Sequence, residues 1–304
     1  MDNKKLKILS IDGGGIRGII PARVLCELEE QIVACDGPDA KLCDYFDLVC
    51  GTSTGGIIAA GIALGLPAKE ILTLYTEHAG EIFPSKHDKV KAFDVLFNRP
   101  FYKRDALEKI LKDTYGRCAR DKDTRVYHCR TRLCIPVYDA SKDVIHIFKT
   151  DHLPNYHRDC HIPITDVVLA SAAAPAYFYP HTFDYMTMGT DTVNSYTNNI
   201  DGGLFANNPT LIGLTEARCC MGVPLEDIAI LSLGTGKSSF KANEGAKSMG
   251  SGYWISPLSG TLKLYEAMSS AQSIYIDNTM KLIKDGAGAD KKGSSDISSD
   301  AAVV

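Results

Sequence analysis

The feature that most constrains this chain is a serine between glycines, Gly51-Thr52-Ser53-Thr54-Gly55, which joins two apolar segments. Residues 45–50 before it have strand character, and the small aliphatic residues 57–64 after it predict a helix. A strand that turns directly into a helix brings the two backbones very close, so positions two before and two after the centre have no room for side chains. The pattern therefore predicts a strand, a sharp turn and a helix, with Ser53 at the centre of the turn.

Such a turn strains its central residue and pushes the side chain outward, above the first amides of the following helix. This placement predicts that Ser53 is a nucleophile and that Gly51 and Gly55 provide the space for the turn. The alternative is a glycine-rich turn with an incidental serine, since the Gly-x-Ser-x-Gly pattern also occurs by chance.

A second glycine-rich segment, Asp12-Gly13-Gly14-Gly15-Ile16-Arg17-Gly18, follows a predicted strand at residues 6–11. It precedes a predicted helix at residues 21–34, whose inward face consists of Val24, Leu25, Leu28, Ile32 and Val33. The spacing of Gly13, Gly15 and Gly18 also fits a dinucleotide-binding fingerprint, which is the alternative for this loop. That fingerprint requires an acidic residue at the end of the second strand, where this chain has the serine turn instead.

Consecutive glycines leave backbone amides free to converge on negative charge. Beside a serine nucleophile, that charge is the oxyanion of a tetrahedral intermediate. We therefore expect Gly13, Gly14 and Gly15 to form an oxyanion hole, and we expect no cofactor.

Charge and composition restrict the possible partners. The formal net charge of −4 provides no electrostatic basis for binding nucleic acid. Residues 103–132 carry ten Lys or Arg against five Asp or Glu, which favours either a solvated surface or contact with anionic lipid. No apolar run reaches the ~20 residues of a membrane-spanning helix, so any action on lipid requires transient adsorption to a membrane surface.

The chain has ten cysteines, and no apolar signal region follows its first residues, Met-Asp-Asn-Lys-Lys. This combination predicts free thiols and a cytoplasmic location. The densest metal-like group, His152, His157, Cys160 and His161, lacks the paired Cys-x-x-Cys spacing of a zinc site, so no metal is expected.

The remaining pattern predicts alternating strands and helices without repeats. Helices are predicted at 69–79, 104–115, 163–174, 210–220 and 262–283, and strands at 131–138, 144–148 and 228–233. Residues 84–100 are predicted to be an irregular connection and residues 186–199 a surface loop. Residues 238–260 are predicted to be either an apolar flap over the site or an ordinary loop. We expect one catalytic domain over residues 1–285 and a disordered tail over residues 286–304.

A serine nucleophile needs a general base, and none of the eight histidines lies in a recognisable motif. Asp201 is a stronger candidate, because Gly202 and Gly203 directly after it allow another loop to approach closely. Partial burial would raise the pKa of such a carboxyl toward neutrality. Taken alone, the Asp-Gly pair also fits a simple turn.

Three blocks together resemble the patatin-like phospholipase family: the glycine loop at residues 12–18, the serine turn at 51–56, and Asp201-Gly202-Gly203 with Asn207-Asn208-Pro209. The blocks occur in the order of that family, and the resemblance extends from about residue 6 to residue 237. Two further segments resemble the branch from plants and bacteria: Ile8-Leu9-Ser10-Ile11-Asp12 and Asp44-Tyr45-Phe46-Asp47.

The resemblance implies a three-layer α/β/α sandwich around a mostly parallel sheet, and a Ser-Asp dyad without histidine or metal. By motif, Ser53 is the nucleophile, Asp201 is the base, and Arg17 holds the glycine loop in place. The implied activity is a lipid acyl hydrolase that cleaves glycerolipid or phospholipid esters at a membrane surface. The alternative is a storage or lipid-binding protein with the same fold and no activity.

Overall fold

The computed structural model describes residues 5–82, 100, 102–119, 123–236, 255–256 and 261–289. Within them, seven strands form one sheet and two short strands form a separate hairpin. The sheet strands are β1 Leu6–Ile11, β2 Leu48–Gly51, β3 Arg132–Asp139, β4 Val144–Lys149, β5 His181–Met186, β6 Val193–Asp201 and β7 Ile228–Leu233. The hairpin strands are β8 Ile255–Ser256 and β9 Thr261–Leu262.

The α-helices among the described residues vary from single turns to one long C-terminal helix. They are α1 Ile19–Asp36, α2 Leu42–Tyr45, α3 Thr54–Ala63, α4 Ala68–Thr76, α5 Ala79–Ile82, α6 Asp105–Gly116, α7 Ile164–Ser171, α8 Gly203–Ala206, α9 Thr210–Thr215 and α10 Lys263–Ala289. A π-helical segment, Glu216–Cys220, continues α9, and together they cover the predicted helix at 210–220.

The sheet order is β5-β6-β3-β2-β1-β7, and β4 also pairs with β3. Strands β7, β1, β2 and β3 are parallel to one another, whereas β4, β5 and β6 are joined by antiparallel pairings. Register places Ile11 at the end of β1 opposite Gly51 at the end of β2. The glycine loop and the serine turn therefore leave the same edge of the sheet, where parallel α/β sheets bind their ligands.

Two apolar cores lie on opposite faces of the sheet, because successive strand residues point to opposite sides. Leu9 and Val49 belong to the larger core with α1, α3 and α4. Ile8 and Cys50, each one position away, belong to the smaller core, against which Ile212 of α9 packs. Helices thus cover both faces, which confirms the predicted α/β sandwich, although one half of its sheet is antiparallel.

The predicted surface loop at residues 186–199 is wrong, because Val193–Asp201 is strand β6. This segment lacks an apolar period, yet Tyr196 is buried and stacks on Phe183 of β5 at a ring-centroid distance of 5.4 Å. Pairing with β3 and β5 satisfies its backbone, so cross-strand contacts decide the structure where local pattern does not.

Helix α1 corresponds to the predicted helix at residues 21–34, but one of its five predicted inward residues is wrong. Val24 is 45% exposed, because the buried face of α1 is centred on Leu25 and Ile32. Helix α10 extends beyond its predicted end at residue 283 to Ala289. Residues 290–304 and most of the predicted connection at 84–100 and loop at 238–260 lie outside the described residues.

Candidate active site

Ser53 lies at the predicted position, between the end of β2 and the start of α3. Its φ is 55° and its ψ is −122°, a conformation that is strained for a residue with a side chain. The flanking glycines explain how the turn closes. A Cβ on Gly51 would lie 2.1 Å from the carbonyl oxygen of Gly55, and a Cβ on Gly55 would lie 2.2 Å from that of Ile11.

Two hydrogen bonds fix the orientation of Ser53. Its backbone amide donates to Oγ of Ser171 at 3.0 Å, and that hydroxyl in turn donates to the carbonyl of Pro136 at 2.8 Å. Its own Oγ donates to Oδ2 of Asp201 at 2.7 Å. The structure therefore brings together the nucleophile and the base that the sequence predicts, although they are 148 positions apart.

Asp201 ends β6, where it pairs with Val137 of β3. Its carboxyl group is fully buried, and Oδ1 accepts a hydrogen bond from the amide of Gly203 at 2.7 Å. Burial raises the pKa of Asp201 from 3.8 to about 6, while the bonds from Gly203 and Ser53 oppose that rise. A carboxyl with this pKa is ionised at pH 7 and still basic enough to accept a proton.

The glycine loop lies against Ser53, because a Cβ on Gly13 would be 3.4 Å from the Ser53 Cβ. The amide of Gly13 donates to the carbonyl of Asn207 at 2.9 Å. Gly13 therefore ties the loop to the segment that follows Asp201, and its amide is already engaged. Of the three glycines predicted to bind an oxyanion, Gly14 and Gly15 are therefore the candidate donors.

Neighbouring side chains hold the same loop. Oγ1 of Thr235 donates to the Gly13 carbonyl at 2.7 Å and occupies the space that a Cβ on Gly14 would need. Arg17 donates through Nη1 to the carbonyl of Gly236 at 3.3 Å. Arg17 thus joins the glycine loop to the segment that follows β7.

Two other motif glycines allow close approach of the backbone. A Cβ on Gly18 would lie 2.3 Å from Oγ1 of Thr54, and a Cβ on Gly202 would lie 2.2 Å from the carbonyl oxygen of Pro136. The first glycine lets the glycine loop pack closely on α3, and the second lets the segment after Asp201 pack closely against β3.

A cavity of about 590 Å³ opens over this group. Ser53, Asp201 and the glycine loop lie in its wall, together with a set of large apolar and aromatic side chains: Tyr102, Leu107, Tyr177, Phe178 and Ile274. Within the described residues, no histidine lines this cavity. His181, which is buried, instead bonds to Asp166 and Arg104.

The C-terminal helix α10 forms one side of the cavity. Ser273 donates to Oδ2 of Asp12 at 3.3 Å, and Asn208 donates to Oδ1 of Asp277 at 2.9 Å. Burial raises the pKa of Asp12 to about 8, and the nearby Asp277 carboxylate adds to the rise. Asp12 therefore holds a proton at neutral pH.

Sequence reasoning missed three contributors to this site. Ser171 is the last residue of α7, Thr235 follows β7, and Tyr265 lies on α10 with its hydroxyl bonded to Asp201. None of them belongs to a motif, so only their positions in the fold reveal them. Asn207 was part of a predicted block, but its contact with Gly13 was not predicted.

Across the described residues, no group of three or more His, Cys, Asp or Glu is placed to hold a metal ion. His152 instead bonds to Glu216 at 3.1 Å. All ten cysteines are free thiols in this structure. Across the described ranges, no helix is both long and apolar enough to cross a bilayer.

Comparison with known proteins identifies relatives over most of the chain. A family model described as patatin-like phospholipase matches residues 9–214. A cGAMP-activated phospholipase of Vibrio cholerae is 34% identical over 284 residues, which are 89% of this chain and 76% of that protein. Patatin-like protein 2 of Oryza sativa subsp. indica is 35% identical over 223 residues, which are 70% of this chain and 53% of that protein.

The chain thus spans about half the length of the rice relative and three quarters of the Vibrio one. Among solved structures, VipD from Legionella pneumophila aligns with a TM-score of 0.35 at 12% identity, covering 88% of this chain and 66% of that one.

Proposed function

The chain belongs to the patatin-like phospholipase family, and from this membership we propose that it is a lipid acyl hydrolase that cleaves glycerolipid ester bonds. The observation that carries the proposal is the 2.7 Å hydrogen bond from Ser53 Oγ to Asp201 Oδ2. It joins a strained, half-buried serine to a carboxyl whose pKa lies at about 6. The reaction needs no metal and no cofactor.

In the first half of the reaction, Oγ of Ser53 attacks the ester carbonyl carbon while Asp201 accepts the hydroxyl proton. The carbonyl oxygen becomes an oxyanion, which the amides of Gly14 and Gly15 stabilise. The intermediate collapses, the bond to the leaving alcohol breaks, and Asp201 returns its proton to that alcohol. The acyl group remains esterified to Ser53.

In the second half, a water molecule takes the place of the alcohol. Asp201 accepts a proton from this water as the water oxygen attacks the acyl carbon. The second oxyanion collapses, Ser53 leaves with the proton from Asp201, and a fatty acid is released. One carboxyl group thus serves both halves, so replacing Asp201 interrupts both.

The surroundings of the cavity support a lipid substrate presented at a membrane surface. Ile16 lies in the cavity wall and is 42% exposed, and Ile19, Ile20 and Val24 continue an exposed apolar strip along the start of α1. Exposed apolar side chains beside an opening mark an interaction site. We propose that this strip touches the bilayer transiently while the protein otherwise remains in the cytoplasm.

The name of the Vibrio relative adds a regulatory hypothesis, namely that a cyclic dinucleotide activates this chain as well. Lipid hydrolysis measured with and without cGAMP tests it. Equal rates over a range of nucleotide concentrations would reject activation and leave the hydrolase proposal intact.

The central test is hydrolysis of a short-chain p-nitrophenyl ester by purified variants. We expect Ser53→Ala and Asp201→Asn each to lose at least about 10³-fold in kcat, since residues of a nucleophile and base pair act as a unit. Asp39→Asn, at an exposed position on the surface, is the matched control and should retain wild-type activity. A fluorophosphonate probe should label wild-type Ser53.

Two results would contradict the proposal. Substantial activity in Asp201→Asn, with loss on replacing one histidine, would indicate a Ser-His triad. Absence of any adduct on Ser53 would indicate a protein that binds lipid without hydrolysing it.

A further inference from the structure

Helix α10 lies outside the residues that the family model matches, yet it contributes to the wall of the cavity. Tyr265 lies in the first turn of this helix. Its hydroxyl lies beside Oδ1 of Asp201 and forms a hydrogen bond with that carboxyl group. Ser269 is its neighbour one helical turn further along α10. A residue remote from the motifs therefore reaches the general base.

The position of the hydroxyl explains why a glycine occupies position 203. A Cβ on Gly203 would lie 2.6 Å from the Tyr265 hydroxyl oxygen and 3.0 Å from Oδ1 of Asp201. The hydroxyl fills the space beside Oδ1 that any side chain at this position would take. Ser269 also holds α10 against Gly203, since its Oγ donates to the carbonyl of Gly203 at 3.4 Å.

We propose that Tyr265 is a positioning residue, which holds the Asp201 carboxylate ionised and aimed at Ser53 by donating a hydrogen bond to it. The inference rests on the proposed function, because it assigns a role in the same reaction. It means that a residue of helix α10 helps to set the ionisation and orientation of Asp201.

The physical reason is the cost of an ionised carboxylate in a fully buried position. Gly203 and Ser53 each donate one hydrogen bond, and the Ser53 bond is lost in the acyl-enzyme, where Asp201 is again ionised and the esterified Ser53 oxygen has no proton to donate. A third donor that does not react keeps the carboxylate solvated throughout the cycle. Burial raises the pKa of Tyr265 well above 10, so its hydroxyl retains the proton that it donates.

Other titratable groups line the same cavity and remain unchanged when Tyr265 is altered. They are Asp12 beside the glycine loop, Arg17, Tyr102, Tyr177, and Glu266 and Asp277 on α10. Replacing Tyr265 by Phe removes only the hydroxyl, so a change in the titration of Asp201 reports the lost hydrogen bond.

The test compares Tyr265→Phe with Tyr275→Phe between pH 5 and 9. Tyr275 lies on the same helix, is 66% exposed and is absent from the cavity wall, so its variant should match the wild type. Two quantities are measured: kcat/KM for the p-nitrophenyl ester and the rate constant for fluorophosphonate labelling of Ser53.

Loss of the Tyr265 hydrogen bond should move the acidic limb of both profiles upward by roughly one pH unit. With the Asp201 pKa at about 6 in the wild type, the ionised fraction at pH 6 would fall from about one half to about one tenth. We therefore expect a roughly fivefold loss at pH 6 and nearly wild-type rates at pH 8.5.

A Tyr265→Phe profile that superimposes on the wild type would overturn the inference. So would a loss of equal size at every pH, since that result means packing alone. If Tyr265→Phe does not fold, Ser269→Ala is tested in its place. It should move the acidic limb of the pH profile upward by less than one pH unit. An acidic limb that does not move would overturn the inference. A wild-type protein that neither hydrolyses ester nor labels at Ser53 would instead refute the proposed function itself.

Discussion

The serine turn at residues 51–55 and helix α10 both place a hydroxyl against Asp201, but they do so by different means. Ser53 is held by backbone geometry, with glycines packed within van der Waals contact of neighbouring carbonyl groups. Tyr265 is held by side-chain contacts on a helix that packs against α8 and leaves much of its surface exposed.

The difference indicates how the two parts of the site tolerate change. Backbone packing leaves no alternative conformation, because the clashing atoms cannot move without moving the sheet. Side-chain contacts are separable, so each can be weakened without losing the fold. Substitutions in the turn should therefore act on stability and activity together, whereas those on α10 should act mainly on titration.

The largest expected effect is that of Gly55→Ala in the turn. The added Cβ would lie 2.2 Å from the Ile11 carbonyl oxygen and 2.7 Å from that of Asp12, both backbone atoms at the end of β1. We expect the free energy of unfolding to fall by at least about 3 kcal/mol, with loss of activity, measured by urea titration and ester hydrolysis.

The matched control for Gly55→Ala is the same substitution at Gly286 on α10, where nothing lies within 4 Å of an added Cβ. Alanine there should stabilise the helix by about 0.5–1 kcal/mol, because it has the higher helix propensity. Equal effects at the two positions would contradict the distinction between the turn and the helix.

A smaller effect is expected for Ser171→Ala, which leaves the turn's backbone intact. The substitution removes the acceptor of the Ser53 amide and the donor to Pro136. We expect a loss of about 1–2 kcal/mol in the free energy of unfolding and roughly a tenfold loss in kcat. Ser195→Ala, at an exposed position on β6, is the control, and an unchanged kcat in Ser171→Ala would show that the turn holds Ser53 without help.

The smallest expected effect is that of Asp277→Asn on α10, and it concerns pH. The folded state holds the Asp12 proton up to about pH 8, whereas the unfolded carboxyl loses it near 3.8. The folded state therefore binds more protons across this window, so the free energy of unfolding contributed by Asp12 falls as pH rises through it.

Removing the Asp277 charge should lower the pKa of Asp12. The free energy of unfolding should then fall less between pH 5.5 and 8.5 than it does in the wild type, by on the order of 0.5–1 kcal/mol. Urea titrations at the two pH values measure it, with the exposed Asp285→Asn as control. A fall as steep as in the wild type would show that α10 does not influence the glycine loop electrostatically.

The same contrast explains how much the sequence predicts. Strand β1, the serine turn and α3 follow from short segments, since glycine spacing and apolar runs act over a few residues. The choice of Asp201 depends instead on the resemblance of three separated blocks to one family. Strand β6 could not be predicted from a short segment, because the side chains that bury Tyr196 include Phe183 of β5 and Phe148 of β4, which are distant in the sequence. Ser171 and Tyr265 are ordinary residues in ordinary helices, and only the fold brings them to the site.

Because Asp201 pairs with Val137, the register of strand β6 fixes the position of the catalytic base candidate. Each residue of a strand advances the chain by about 3.3 Å, and a slip of one residue turns a side chain to the opposite face of the sheet. A change of length at the tip of the β5–β6 hairpin, residues 187–192, would leave the register of β6 against β3 unchanged. One residue gained or lost between Asn199 and Asp201 would carry the carboxyl away from Ser53, however well the rest of the protein folds.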